Sequence, residues 1–352
     1  MRIRTSQPSL YRRRQQQGIA LLLAISIILI GVIASTTLIA QQQLSLRKSG
    51  NLIIRNQAAE YNLAAENWAK IWLTKDAEES EFDAATENWA TELPPLPIDG
   101  GVIVARLYDL QGRLNINSLV SGRDAIVPDP NRDPDLPIPP TPMEQQQQLF
   151  RALTEANLAP RLEDVIDWID EDNSPTESIG AEGNHYFSLE RPHRPANQEA
   201  LSVSELRLMR DVDDEVYRSY RAEDQPFEDP RIAFTALPGY TKININLAPQ
   251  SLFVALGINE IEAQAVYEEI QETPFEVLAD IDGLASQYGA KIGDTAGPDV
   301  DYIIDDVFTV KSDFFLLVSK TYIGRSQSVL YSTIYRDRQN RCHVINRSYG
   351  TI

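Results

Sequence analysis

An uncharged, mainly apolar run of residues lies close to the N-terminus of the chain. Residues 19–40 read IALLLAISIILIGVIASTTLIA and contain no Asp, Glu, Lys or Arg. At a helical rise of about 1.5 Å per residue the run spans roughly 33 Å, which matches the hydrocarbon core of a bilayer, about 30 Å thick. The pattern therefore predicts one membrane-spanning helix.

Helical periodicity continues beyond this run. Apolar and aromatic side chains recur at intervals of 4, 3, 4, 3 and 4 residues, at Ile54, Ala58, Tyr61, Ala65, Trp68 and Trp72. This spacing places them on one face of a helix. We predict one long helix from about Ile19 to about Leu73, whose second half packs this face on a globular domain. We interpret Trp68 and Trp72 as core residues of that contact.

Strand-like patterns occur near residue 100 and near the C-terminus. Gly101–Leu110 reads GVIVARLYDL, and the turn pair Gln111-Gly112 separates it from the alternating segment Arg113–Leu119. We predict that these two segments form a hairpin. Asp306–Lys320 and Ser326–Arg336 are also strand-like, and we predict that they form a terminal hairpin.

The residues between these strands have mostly helical patterns. Residues 121–142 contain seven prolines, so we predict a long loop there. Thr235–Leu247 has the pattern of a turn and a strand. The predicted helical segments are Met143–Ala156, Ala159–Ile169, Ser202–Met209, Ala248–Ile258, Glu260–Gln271 and Thr273–Leu284. The predicted fold class is α+β, with a small antiparallel sheet packed on the long helix and a large inserted α-helical domain.

Charge is unevenly distributed along the chain. The formal net charge is −19, yet residues 1–18 hold five arginines and no acid, and the first acidic residue is Glu60. Because positive charge before a span favours the cytoplasmic side, we predict a cytoplasmic N-terminus and an exported, acidic C-terminal body. That body argues against nucleic acid as a partner, because phosphate contacts need Lys and Arg.

The boundary between the basic leader and the apolar run carries a possible processing signal. Arg12–Gly18 reads RRRQQQG, and the apolar run begins at Ile19. This arrangement resembles the type IV prepilin signal, which implies cleavage after Gly18 by a prepilin peptidase and methylation of Ile19. An uncleaved membrane anchor is the alternative. Leu23 occupies the fifth mature position, where most pilins have Glu, and this favours a place at the end of a filament rather than in its shaft.

The densest acidic stretch is a candidate cation site. Residues 164–186 read DVIDWIDEDNSPTESIGAEGNHY. Calcium binds about 6–8 oxygen ligands, often on a bending loop, and Asp170-x-Asp172 at the end of a predicted helix is similar to the start of such a loop. The Gly and Glu offsets exclude an EF-hand. A solvated acidic loop without a metal is the alternative.

Several separated motifs together resemble general secretion pathway protein K, the large minor pseudopilin of type II secretion systems. The motifs are residues 108–117 (YDLQGRLNIN), 167–173 (DWIDEDN), 180–182 (GAE), 194–197 (RPAN), 202–206 (SVSEL) and 243–249 (ININLAP). The resemblance implies a pilin-like fold, an inner-membrane anchor and a periplasmic body. It also implies a place at the pseudopilus tip with minor pseudopilins I and J, and calcium bound by the acidic loop. We expect the body to end the filament and to contact secreted substrates there.

The ligands that this resemblance implies can be assigned residue by residue. Asp170, Asp172 and Glu182 are the first choices. Gly183 stands where related sequences tend to have an acid, so Asn184 is the fourth candidate.

The sequence fits two other function classes less well. Residues 252–284 have the pattern of a helix-hairpin-helix, so the alternative function is a periplasmic binding module anchored in the inner membrane. Residues 243–290, however, contain no Lys or Arg, so nucleic acid would be repelled. The chain has three histidines and no phosphate-loop, HExxH or GxSxG pattern, so we predict no enzyme activity and no catalytic residues.

The predicted function is therefore that of a non-catalytic minor pseudopilin at the tip of the pseudopilus, supporting filament initiation and protein export across the outer membrane. The predicted segments are the leader 1–18, the long helix 19–75, the first strands 76–120, the inserted helical domain with the metal loop 121–235, a strand with a second helical segment 236–300, and the terminal hairpin 301–352.

Overall fold

The computed structural model describes residues 11–91, 94–120, 140–154, 160–219, 233–295, 297 and 300–349, with side chains undescribed at 11–18 and 218–219. Most of the Pro-rich loop predicted at 121–142 lies outside these residues. The chain divides into two compact units, residues 1–58 and residues 59–352.

The described helices and strands follow one another in chain order. The helices are α1 (Tyr11–Glu79), α2 (Pro142–Thr154), α3 (Leu162–Ile169), α4 (Gly183–Phe187), α5 (Asp214–Ser219), α6 (Gln250–Ala255), α7 (Glu260–Glu272), α8 (Gly283–Tyr288) and α9 (Ile304–Val307). The strands are β1 (Leu96–Ile98), β2 (Gly101–Asp109), β3 (Leu114–Asn115), β4 (Phe234–Thr235), β5 (Ile243–Asn244), β6 (Ile292–Gly293), β7 (Tyr302–Ile303), β8 (Phe308–Thr309), β9 (Phe314–Ile323), β10 (Ser326–Arg336) and β11 (Cys342–Tyr349).

The first unit consists of the early part of α1. Residues 19–49 are exposed throughout, and α1 is the one described helix long and apolar enough to cross a membrane. Hydroxyl groups within the apolar run donate to carbonyl oxygens one turn back, as Ser26 does to Leu22 at 2.8 Å and Ser35 to Gly31 at 2.7 Å. In a bilayer these hydroxyls would therefore have their hydrogen bonds already made.

The second unit contains a five-stranded sheet in the order β1-β2-β9-β10-β11. All four pairings are antiparallel. The predicted terminal hairpin is confirmed as β9 and β10, although residues 306–309 form α9 and β8 instead of extending the first strand. The edge strand β11 was not predicted.

The predicted hairpin of residues 101–119 is wrong. β2 pairs with β1 and β9, whereas β3 pairs in parallel with the distant β4. Gly112 is needed for another reason than a hairpin turn: a Cβ there would lie 2.1 Å from the carbonyl oxygen of Leu247. Close backbone approach and a turn both select Gly, so the local pattern could not distinguish them.

The part of α1 within the second unit packs on the sheet through small and polar residues. Ala65, Ala69 and Leu73 share a core with Phe315 and Ile334. The aromatic stripe predicted for this contact is partly wrong, because Trp68 is 39% exposed. Trp68 instead stacks edge-on against Trp72, with ring centroids 4.3 Å apart. Alanine allows the helix to lie close to the sheet, which indoles at the same positions would prevent.

Polar side chains fix the position of this helix on the sheet. Asn62 accepts hydrogen bonds from Ser319 at 2.9 Å and Thr321 at 2.7 Å, and is fully buried. Glu66, also buried, accepts from Ser332 at 2.7 Å and from two nitrogens of Arg347 at 2.7 and 2.8 Å. These bonds join the helix to three strands of the sheet.

The helical part of the protein is an insertion into the sheet. Residues 110–313 separate β2 from its neighbour β9, and their buried apolar side chains form one continuous core. The segment boundaries predicted inside this range remain predictions. The structure confirms the predicted fold class, with its long helix, small antiparallel sheet and large inserted helical region.

Candidate metal centre

The acidic loop follows a short, completely buried helix. All eight residues of α3 are buried, and at its end Asp170 adopts an extended conformation, with φ −69° and ψ 162°. Asp164 on this helix forms an ion pair with Arg210, which also donates to the carbonyl oxygen of Ile179 at 2.6 Å. Arg210 therefore joins α3 to the far side of the acidic loop.

A glycine lets the loop return close to the helix. The backbone N–H of Thr176 donates to Asp167 at 2.8 Å. Gly180 lies so near the same carboxylate that an added Cβ would be 2.0 Å from its Oδ2 atom. The strained part of the loop lies between these contacts, where Glu177 and Ser178 have φ of 50° and 61°. The loop is thus held at Asp167 on both sides of its strained residues.

Three of the four predicted metal ligands converge. Asp170, Asp172 and Glu182 each offer a carboxylate oxygen, and these atoms all lie within 4.8 Å of one another. Asp172 is oriented by its own loop, since its Oδ1 accepts from the N–H of Ser174 at 2.7 Å. Its carbonyl oxygen accepts from Asn197 Nδ2 at 2.7 Å, and the N–H of Asn197 donates to Trp168 at 2.9 Å.

Glu182 is the most unusual of these carboxylates. Its side chain is buried, and neither carboxylate oxygen has a hydrogen bond of normal geometry among the described residues. Burial, with the neighbouring charges of Asp167 and Asp170, raises its pKa to about 7, although the nearby N–H of Gly183 opposes this rise slightly. A buried carboxylate with neither a donor nor a counterion is energetically costly. A cation bound between the three carboxylates would remove this cost.

The donor set fits a hard divalent cation. Carboxylate oxygens on a bending loop are ligands that calcium accepts, and carbonyls, amides and water complete its shell. Asn184 is exposed in the first turn of α4. Asp167 was not among the predicted ligands, although this buried residue contributes to the raised pKa of Glu182. Its closeness to Gly180 is a tertiary contact that the local pattern does not reveal.

A second acidic cluster lies at the end of α1 and was not predicted from the sequence. Asp76, Asp83 and Glu87 have carboxylate oxygens within 4.8 Å of one another. Unlike the acidic loop, this cluster contains a buried cation. Arg336 forms an ion pair with Asp83, and its Nη1 atom lies 3.9 Å from Asp76. A divalent cation here would be opposed by the guanidinium, so the cluster fits a metal less well than the acidic loop does.

The predicted processing residues lie in the exposed early part of α1. Ile19 is 61% exposed, and Gly18 is in the same helix. The cleavage and methylation expected there remain predictions, as do the metal ligands.

Comparison with known proteins identifies a consistent set of relatives. A sequence profile described as "Type II secretion system (T2SS), protein K" matches residues 112–223. Type II secretion system protein K of Aeromonas hydrophila is 30% identical over 345 residues, covering 96% of this chain and 98% of that protein. The protein of the same name from Pseudomonas aeruginosa is 28% identical, covering 96% and 94% of the two chains.

A solved structure has the same fold. A chain in the crystal structure of the GspK-GspI-GspJ complex from the enterotoxigenic Escherichia coli type 2 secretion system superimposes with a TM-score of 0.64. The match covers 87% of this chain and all of that chain, at 22% sequence identity. This likeness supports the pilin-like fold with an inserted helical region.

Proposed function

Because this chain belongs to the type II secretion system protein K family, and is thus a minor pseudopilin, we propose that it occupies the tip of the pseudopilus. There it supports filament initiation and protein export across the outer membrane. Its apolar helix is a candidate membrane anchor. The finer topology that we propose has a cytoplasmic N-terminus, a single pass through the inner membrane and a periplasmic body.

The insertion of residues 110–313 between the neighbouring strands β2 and β9 is the observation that best supports a terminal position. A repeating subunit needs free space for identical copies above and below it, and an insertion this large in every copy would crowd that stack. Leu23 supports the same placement, because it leaves no acid to neutralise the amino terminus of a neighbour in an apolar interior.

The proposed partners are the I and J minor pseudopilins, which accompany GspK in the solved complex. We expect the full chain, purified in mild detergent from cells that also express these two proteins, to carry both in fixed stoichiometry. Sheared pseudopili should contain about one copy of this chain per filament by quantitative mass spectrometry. Many copies along the shaft would contradict the tip position, and purification without I and J would contradict the partnership.

We also propose that the acidic loop binds calcium through Asp170, Asp172 and Glu182, with Asn184 as a further candidate ligand. The support is the convergence of three carboxylates, one of which, that of Glu182, is buried and has no hydrogen-bond partner among the described residues. When bound, calcium supplies charge compensation for the loop. The proposed role of the ion is structural. The chain's own residues hold α3, the acidic loop and Asn197 together, and the bound ion would stabilise this arrangement.

Thermal melting of the full chain tests this site. A ligand at about 100 times its Kd stabilises a folded protein by about 2.7 kcal/mol, so calcium should raise the Tm and a chelator should lower it. Glu182→Gln and Asp170→Asn should abolish the calcium-dependent shift. Glu171→Gln removes the same charge from an exposed position in the same loop and should preserve it. Equal shifts in all four proteins would disprove the assignment.

We propose that the protein has no catalytic activity, in keeping with its membership of a family of structural secretion components. The alternative, a helix-hairpin-helix binding module, retains one supporting observation, since α6 and α7 form a helical pair joined at Gly257, whose φ is 94°. Retardation of duplex DNA at low salt would favour that alternative.

A further inference from the structure

A partly open cleft of about 590 Å³ lies between the end of the sheet and residues 238–242 of the insertion. Its volume falls within the range of about 300–1,000 Å³ that is usual for ligand sites. We call it the Gln111 cleft, after a residue that forms part of its lining. It is separate from the acidic loop, with which it shares no residue.

The Gln111 cleft is preformed. Gln111 is buried, and its Oε1 accepts hydrogen bonds from the N–H groups of Asp313 and of Phe314, the latter at 3.1 Å. Its Nε2 donates to the carbonyl oxygen of Lys242 at 3.0 Å. One side chain thus joins both walls, so that a ligand need not order the cleft as it binds.

Three cations line this cleft although the chain as a whole has a net charge of −19. They are Lys242, Lys311 and Arg338, and the one acid among the lining residues is Asp313. Lys242 lies 3.2 Å from Asp305 and Lys311 lies 3.6 Å from Glu81. These two acids are 84% and 94% exposed. Such exposed pairs contribute little stability and can exchange for a ligand carboxylate.

Arg338 provides the third positive charge. It is exposed, and among the described residues it forms no ion pair within 4 Å, although the Asp313 carboxylate in the same cleft interacts with it electrostatically. Its guanidinium is therefore available at the rim of the cleft.

Apolar and aromatic side chains form the rest of the wall. Phe314 and Tyr335 pack with ring centroids 4.9 Å apart. Ile345 on the edge strand β11 also lines the cleft and is 45% exposed. The register between β10 and β11 shifts so that Ile345 has no partner on β10, as in a β-bulge. Bulges redirect side chains, and an exposed isoleucine beside two rings forms an apolar subsite.

We propose that the Gln111 cleft binds an acidic, extended peptide segment of another protein, with the ligand's carboxylates on Lys242, Lys311 and Arg338 and an apolar side chain between Tyr335 and Ile345. Charge complementarity selects this ligand, because the cleft is a positive site on an acidic surface. This inference is independent of the pseudopilus position and of the calcium site.

Binding can be measured by fluorescence anisotropy with the full chain in detergent. The probe is a short labelled peptide that alternates glutamate with leucine and phenylalanine, and its control replaces each glutamate with glutamine. The glutamate peptide should bind, and added salt should weaken its binding. The double variant Lys311→Glu/Arg338→Glu should weaken it by about tenfold or more, and Ile345→Asp should weaken it severalfold.

A matched control separates local charge from net charge. Lys320 and Arg325 are exposed near the turn between β9 and β10, at the opposite end of β10 from Arg338. The double variant Lys320→Glu/Arg325→Glu makes the same change in net charge and should leave affinity within about twofold. Equal binding by the double variant, or by the glutamine peptide, would overturn the proposal. So would a concentration-dependent dimer of the native chain that the double variant lacks, because the occupant would then be a second copy of this chain.

Discussion

Individual buried carboxylates determine much of this protein's predicted response to pH and substitution. Asp76 is 9% exposed, and its Oδ2 atom has no hydrogen-bond partner among the described residues. Burial raises the pKa of Asp76 to about 7, with further contributions from the charges of Glu87 and Asp83 that exceed the opposing effect of Arg336. The folded protein therefore holds a proton on this residue at pH values where the unfolded chain does not.

The contribution of Asp76 to stability should consequently fall as the pH rises from about 4 to about 7, because at this residue the folded state binds more protons than the unfolded state in that range. We expect Asp76→Asn to remove this contribution. The Tm of the variant should exceed that of the native protein at pH 8, and the difference should be smaller at pH 5. The control is Asp99→Asn, at an exposed position in the turn between β1 and β2. The difference in Tm between this variant and the native protein should be the same at both pH values.

Gly180 is a residue whose replacement should affect one loop only. An added Cβ would be 2.0 Å from Asp167 Oδ2, so Gly180→Ala should cost about 1–3 kcal/mol of unfolding free energy and lower calcium affinity. Gly183→Ala is the matched control, because its Cβ would meet only the Phe187 ring, at 3.4 Å. Chemical denaturation with and without calcium would measure both effects, and similar losses in the two variants would contradict this account.

At the scale of elements, two similar segments use asparagine in the same way. LNIN at 114–117 and ININ at 243–246 each form a two-residue strand followed by a 3-10 helix. In both, the first asparagine caps that helix, accepting from the N–H two residues later. The second asparagine donates to a distant carbonyl, from Asn117 to Leu237 at 2.8 Å and from Asn246 to Phe275 at 2.9 Å. These asparagines are almost completely buried.

The side chain of Asn115 makes four hydrogen bonds with the described backbone. It accepts from the N–H groups of Asn117 and Leu237 and donates to the carbonyls of Leu237 and Gly239. Asn115→Ala would leave several buried backbone groups unpaired, so we expect a loss of at least about 2 kcal/mol in unfolding free energy. The exposed Asn88→Ala should change stability by less than about 0.5 kcal/mol. Urea unfolding monitored by circular dichroism would compare them.

At the scale of the whole molecule, the predicted maturation defines the chain that reaches the filament. If cleavage follows Gly18, intact mass spectrometry of membrane-extracted protein should find a chain that begins at methylated Ile19. Gly18→Val should block cleavage and retain the leader, whereas Gly31→Ala, within the apolar run, should not. A native chain that still begins at Met1 would show that the N-terminal segment is an uncleaved anchor.

Local patterns predicted the long helix and the β9–β10 hairpin, because each depends on residues near one another in sequence. The family resemblance named Asp170, Asp172 and Glu182, whose carboxylates lie together in the structure, and their role as metal ligands stays a prediction. Local patterns failed at residues 101–119, where β2 finds its partner in β9 after the insertion, and at Trp68, where helix–sheet distance favours alanine. Periodicity shows which face of an element is apolar, but it does not show what that face will meet.

By itself, the sequence of this protein determined that it has a long apolar helix fit to be a membrane anchor, an acidic body and a carboxylate-rich loop, since length, charge and spacing are properties of the chain alone. Only the tertiary structure decided that Glu182 is buried with no hydrogen-bond partner in the described part of the chain, that Arg336 lies among the acids at the end of α1, and that cations from separate segments line the Gln111 cleft. The physical reason is that burial and electrostatic environment depend on neighbours in space, and those neighbours come from distant parts of the chain.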